Sequence, residues 1–93
     1  TVLTNVFTGR PARGLINRIV REVGPISPDA PAFPLAAGAL APIREAAEAK
    51  GSADFTSLWS GQAAALGCEI PAAELTRKLV QDALERLRAI ASG

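Results

Sequence analysis

Arg10, Arg13, Arg18 and Arg21 place four positive charges within twelve residues, and Glu22 is the one carboxylate close to them in sequence. A helix amino terminus opening beside such a cluster attracts anions, so a phosphate or a carboxylate is the ligand this segment suits. Guanidinium forks tie loops to backbone carbonyls and carboxylates as readily, and for Arg10, Arg13 and Asn17 loop-tying is the weightier reading. The second candidate is Gln62, which falls between Trp59 and Leu66 on a stripe that is otherwise apolar. A buried amide there needs partners, supplied either by a polar ligand site or by a neighbouring loop. Gly61 beside it implies close approach of another backbone or of a ligand, whereas Trp59 at helical spacing packs more often than it forms a cofactor platform.

Other chemistry is thinly supplied. The chain has no histidine and one cysteine, which excludes a Ser-His or Cys-His nucleophile and a structural zinc site of the usual four ligands. Cys68 stands next to Glu69 with no positive neighbour in sequence, and reads as an inert thiol. Glu45, Glu48, Glu74, Asp82 and Glu85 lie on solvent-facing positions of helical patterns, so no carboxylate pair is set for acid–base work. No phosphate-loop or dinucleotide-binding glycine motif occurs. No catalytic residue and no metal ligand are expected within these 93 residues.

These positions need elements to hold them. Thr1 to Thr8 alternates β-branched residues and predicts a strand. No second run of comparable character follows, so the strand is expected to lack a partner within the chain and to pair elsewhere or self-associate. Gly9 and Pro11 open a helix that Gly24 and Pro25 close, with Leu15, Ile16, Ile19, Val20 and Val23 on one face. Gly14 inside it points either to close backbone packing or to a later helix start. Four prolines between Gly24 and Pro34 make a stiff connection. Leu35 to Lys50 is a helix that Pro42 kinks or divides. A third helix is predicted from Asp54 or Thr56 through Ala65, and a fourth from Pro71, with Glu74–Lys78 and Asp82–Arg86 as i,i+4 pairs. The fold class is therefore mainly α with one N-terminal β-strand, resembling the end of a larger α/β unit.

A chain of this length buries only roughly 60–65% of its unfolded surface, and its core must come from aliphatic side chains and alanine. A net charge of +1 gives no field to steer it toward nucleic acid or an anionic membrane. No apolar run reaches the roughly 20 residues of a membrane span, and a lone cysteine leans toward a reducing, cytoplasmic setting.

Two stretches carry a family resemblance: F-T-G-R-P-A-R-G-L-I-N-R at Phe7 to Arg18, and G-S-A-D-F-T-S-L-W-S-G-Q-A-A-A-L at Gly51 to Leu66, with A-P-A-F-P-L at Ala30 to Leu35 between them. In order and spacing they resemble the closing third of bacterial nitronate monooxygenases of the 2-nitropropane dioxygenase type. The resemblance implies an FMN-dependent TIM-barrel (α/β) flavoenzyme with a small second domain, oxidising alkyl nitronates with O2 to a carbonyl compound and nitrite. It implies further that the catalytic histidine and the FMN-holding glycine loops lie upstream, so that this chain is inactive and flavin-free alone. Residues 1–34 would then belong to the small second domain and residues 35–93 to helices returning to the barrel. Gly9, Arg10, Pro11, Arg13, Gly14 and Asn17 match the signature of the second domain, and Trp59, Gly61 and Gln62, candidates for holding the cofactor, match the segment returning toward the barrel. Thr56-Ser57 departs from the Ser-Pro frequent in relatives.

The partner implied is the remainder of the barrel, in the same polypeptide or a companion chain. The FMN-dependent enoyl-acyl carrier protein reductases, which are similar around Gly61-Gln62 but less so over Gly9 to Asn17, are an alternative, as is an FMN-dependent quinone reductase relative. A free-standing helical interaction module is the reading from another class. A nucleic-acid binder using the arginine stripe is disfavoured by the low charge and the lack of interleaved aromatics.

Overall fold

The computed structural model describes all residues, Thr1–Gly93. Its elements are β1 (Val2–Thr4), β2 (Ala12–Gly14), α1 (Arg18–Glu22), α2 (Leu35–Ala49), a 3-10 turn at Ala64–Leu66, and α3 (Ala72–Ser92). The chain is mainly helical with one short two-stranded sheet.

The amino-terminal strand has its partner within the chain, which corrects the expectation of a lone strand. β1 pairs antiparallel with β2, Val2 opposite Gly14, Leu3 opposite Arg13 and Thr4 opposite Ala12. Residues 5–11 form the turn between them, and Gly9 takes φ +94° there. The pairing also removes the first half of the helix predicted from Pro11. Ala12–Gly14 give their backbone to β1, and α1 begins only at Arg18, the later start that Gly14 had left open.

The core gathers where the hairpin meets α1. Val6, Phe7, Ile19 and Val20 are buried, with Val2, Phe55 and, from α2, Leu40 packed against them, and Ala36 of α2 is buried as well. The proline-rich connection is pinned to the strand end. The Thr4 hydroxyl donates to the Pro25 carbonyl at 2.6 Å. Asn5 and Ser27 exchange two bonds: the Asn5 amide donates to the Ser27 carbonyl, and the Ser27 N–H donates to Asn5 Oδ1, both at 2.9 Å. Pro42 lies within α2 without dividing it.

The helix expected over residues 54–65 does not form. Its backbone groups are taken by the hairpin edge, and only the 3-10 turn at Ala64–Leu66 is helical. α3, by contrast, fills its predicted span and lies away from the core, with no residue buried. The radius of gyration, 18.1 Å, exceeds the about 12 Å of a compact chain of this length; a helix of 21 residues extending about 31 Å accounts for the excess. On its solvent side Lys78 Nζ pairs with Asp82 at 2.6 Å instead of with Glu74. The Asp82 carboxylate raises the Lys78 pKa above its ordinary value. A raised lysine pKa contributes helix stability below the ordinary lysine range and loses it only in strong alkali.

Candidate functional site

The two signature stretches, far apart in sequence, meet along the free edge of β2. Gly14 forms an antiparallel bridge with Trp59. The Leu15 N–H donates to the Leu58 carbonyl at 2.8 Å, the Ser60 N–H to the Arg13 carbonyl at 3.3 Å, and the Ile19 N–H to the Asp54 carbonyl at 3.1 Å. Only glycine fits at position 14, because a Cβ built there would stand 2.9 Å from the Leu58 carbonyl oxygen. The close backbone packing open at Gly14 from sequence is thus realised together with the later helix start.

Asn17 completes the clamp. Its side-chain amide donates to the carbonyls of Ala53 and Thr56, both at 2.9 Å, and is 94% buried. It occupies the N-cap position of α1 but makes no capping bond with its side chain; the turn 53–56 takes the Nδ2 donors, and Oδ1 is buried without a donor.

Trp59 lies edge-on to Phe7, ring centroids 5.6 Å apart and planes at 83°, with 48% of its surface exposed. One side of the indole therefore packs while the other is open. Beyond it Gly61 and Gln62 are exposed. Gln62 is not part of a buried helical stripe, so the cost of an unsatisfied amide does not apply to it here. Nor does Gly61 face a close neighbour, since nothing lies within 4 Å of where its Cβ would be. The segment presents a glycine backbone, a primary amide and half an indole on an open surface.

The arginines have separate engagements. Arg10 stacks over Phe33 with its guanidinium carbon 4.0 Å from the ring centroid. Arg13 Nη1 donates to the Thr1 hydroxyl at 3.2 Å. Arg18 pairs with Glu22 at 3.1 Å and lies over Phe55 at 5.7 Å. No group of His, Cys, Asp or Glu side chains is placed to hold a metal ion, and no helix is long and apolar enough to cross a membrane.

A flavin mononucleotide needs a phosphate cradle and a wall against the ring. Gly61, Gln62 and Trp59 can furnish one edge of such a site, but no glycine loop here cradles a phosphate, and Trp59, Gly61 and Gln62 line none of the pockets of the chain. Sequence reasoning missed Phe7 beneath Trp59 and the clamp across residues 13–19 and 53–60. Its one signal was a glycine inside an apparent helix.

Residues 1–82 match the family described as nitronate monooxygenase. A nitronate monooxygenase of Pseudomonas aeruginosa is 45% identical over 83 residues, covering 88% of this chain and 24% of the relative. A probable nitronate monooxygenase of Staphylococcus saprophyticus is 36% identical over 85 residues, covering 91% and 24%. The Paraburkholderia phytofirmans enzyme of the same name is 36% identical over 96 residues, covering 99% and 26%. The chain spans about a quarter of the length of these relatives. The clamp that joins residues 13–19 to residues 53–60 lies wholly within the matched region, and the chain belongs to the nitronate monooxygenase family.

Proposed function

We propose that the chain is one part of an FMN-dependent oxidoreductase that oxidises alkyl nitronates with O2 to a carbonyl compound and nitrite, and that it contributes one edge of the flavin site through Trp59, Gly61 and Gln62. The observation that supports this is the joining of both family signatures at the Gly14–Trp59 bridge, which leaves the Trp59–Gln62 segment held at its base and open on its outer side. FMN, when bound, supplies the electron-transfer chemistry. The residues of this chain contribute position: the clamp fixes the segment, the indole gives it an apolar face, and the Gln62 amide offers both a donor and an acceptor. The histidine base and the phosphate-holding loops belong to the remainder of the protein.

Two measurements test this reading. The 93-residue chain alone is expected to elute from gel filtration without visible flavin absorbance; flavin retained in stoichiometric amount contradicts the division of labour. Gln62→Leu is expected to leave the melting of the isolated chain within about 0.5 kcal/mol of the parent, as befits an exposed side chain. In a family-length protein carrying these residues the same substitution is expected to lower turnover or flavin occupancy several-fold. Unchanged turnover at full occupancy removes Gln62 from the site.

A further inference from the structure

We infer that the apolar side of α3 is a docking surface for the part of a family-length polypeptide that lies outside the matched quarter; the inference rests on the reading that this chain works as one part of a larger oxidoreductase. At 100° per residue, Ala72, Leu75, Leu79, Ala83, Leu87 and Ile90 fall on one half of the helix together with Val80 and Leu84, while the charged residues, Arg86 excepted, fall on the other. Thr76, the uncharged polar residue within the apolar half, returns its hydroxyl to the Ala72 carbonyl at 2.8 Å, which leaves the Arg86 guanidinium as the polar group on that side. Leu79, Leu87 and Ile90 are 61%, 62% and 77% exposed, a large amount of apolar side chain for one helix to leave in water.

The shape of the surface indicates its occupant. A two-stranded coiled coil with a second copy buries only a narrow seam of two positions per heptad, whereas a helix on a globular core buries a wide stripe. Here the apolar stripe covers about half the circumference, the width of a core-facing helix. A notch of about 230 Å3 has Leu66, Cys68, Leu75 and Leu79 on its apolar side and Lys78, Asp82 and Arg86 on its charged rim, a seat for one large side chain from the partner with a polar tip. No residue of α3 is buried within the chain, and relatives about four times as long supply the protein that can cover this surface.

The test uses the Pseudomonas aeruginosa relative from which the stretch matching this chain has been removed, co-expressed with the 93-residue chain. A soluble one-to-one complex is expected, lost with Leu79→Asp/Leu87→Asp and kept with Arg88→Asp on the polar side. Alkylation of Cys68, read by mass, is expected to slow at least tenfold in the complex. Because the shortened relative can fail to fold, the same substitutions are also placed in one continuous polypeptide with residues 1–93 in place of the matched stretch. There the double substitution is expected to lower the melting temperature by several degrees, and Arg88→Asp to leave it unchanged. A complex without flavin or turnover retains the docking surface and removes the proposed function. Melting insensitive to the double substitution overturns the inference, as does a dimer of the 93-residue chain that the double substitution dissociates.

Discussion

Gly9→Ala is expected to lower the melting temperature of the hairpin and its core by at least about 12 °C. Gly9 has φ +94°, and an added Cβ would overlap the Phe33 nitrogen and lie 2.5 Å from the Pro31 oxygen and 2.8 Å from the Ala32 carbon. All three are backbone atoms, so no rotamer change relieves the overlap. The conformational strain and the overlap together cost at least about 3 kcal/mol. Nine of the 93 residues are buried, so the stability of the chain lies near the low end of the usual range, about 5 kcal/mol. Near-ultraviolet circular dichroism of Trp59, the sole tryptophan, should lose its native signal at a correspondingly lower temperature in the variant than in the parent. A melting temperature within about 2 °C of the parent contradicts the close approach of these backbones.

The second large effect concerns Asn17. Asn17→Ala removes the two donors that satisfy the Ala53 and Thr56 carbonyls, at a cost of about 2 kcal/mol that does not depend on pH. Asn17→Asp is expected to be worse at neutral pH, by a further 1–2 kcal/mol or so, because a carboxylate would be buried against two carbonyl oxygens. Burial raises the pKa of such a carboxyl in the folded state. Stability is then present below the unfolded aspartate value, about 3.9, and is lost as pH rises through the folded one. The gap between the two variants should therefore narrow from pH 7 to pH 4. Denaturant titrations at both values decide it, and equal deficits for Asp and Ala at both would show that the Asn17 site is open to water.

The elements held by side-chain periodicity were legible in the sequence, and those held by backbone bonds were not. α3 and α2 follow from their apolar spacing, and the stiffness of the Pro25–Pro34 connection follows from its prolines. Ala12-Arg13-Gly14 has no β character, and it becomes a strand because β1 offers backbone partners and because Gly14 admits Leu58. Phe55, Leu58 and Trp59 do have helical spacing, yet the Leu58 and Asp54 carbonyls bond Leu15 and Ile19, and a helix would have to give those bonds up. The same exchange moved Gln62 from an expected buried stripe to the surface. Of the candidate site, Trp59, Gly61, Gln62 and Asn17 could be named from residue type and family likeness, whereas the contact between their two stretches is a property of the folded backbone alone.

The Asn17 clamp has a consequence for how this region tolerates change. The chain leaves Asn17, runs through α1, the proline-rich connection and α2, and returns to Asn17 at Ala53, 36 positions later. That excursion begins and ends at one fixed point. Lengthening it adds only loop-closure entropy, about 0.6 kcal/mol for each doubling, provided that Ala36 and Leu40 still reach the core. The exposed turn between Lys50 and Ser52 can thus accept an inserted tag or a whole domain whose own ends lie close together, while Trp59 and Gln62 stay in register with the hairpin. The region is built as a handle closed on itself, and its outer arc is the place where new sequence can enter without shifting the site.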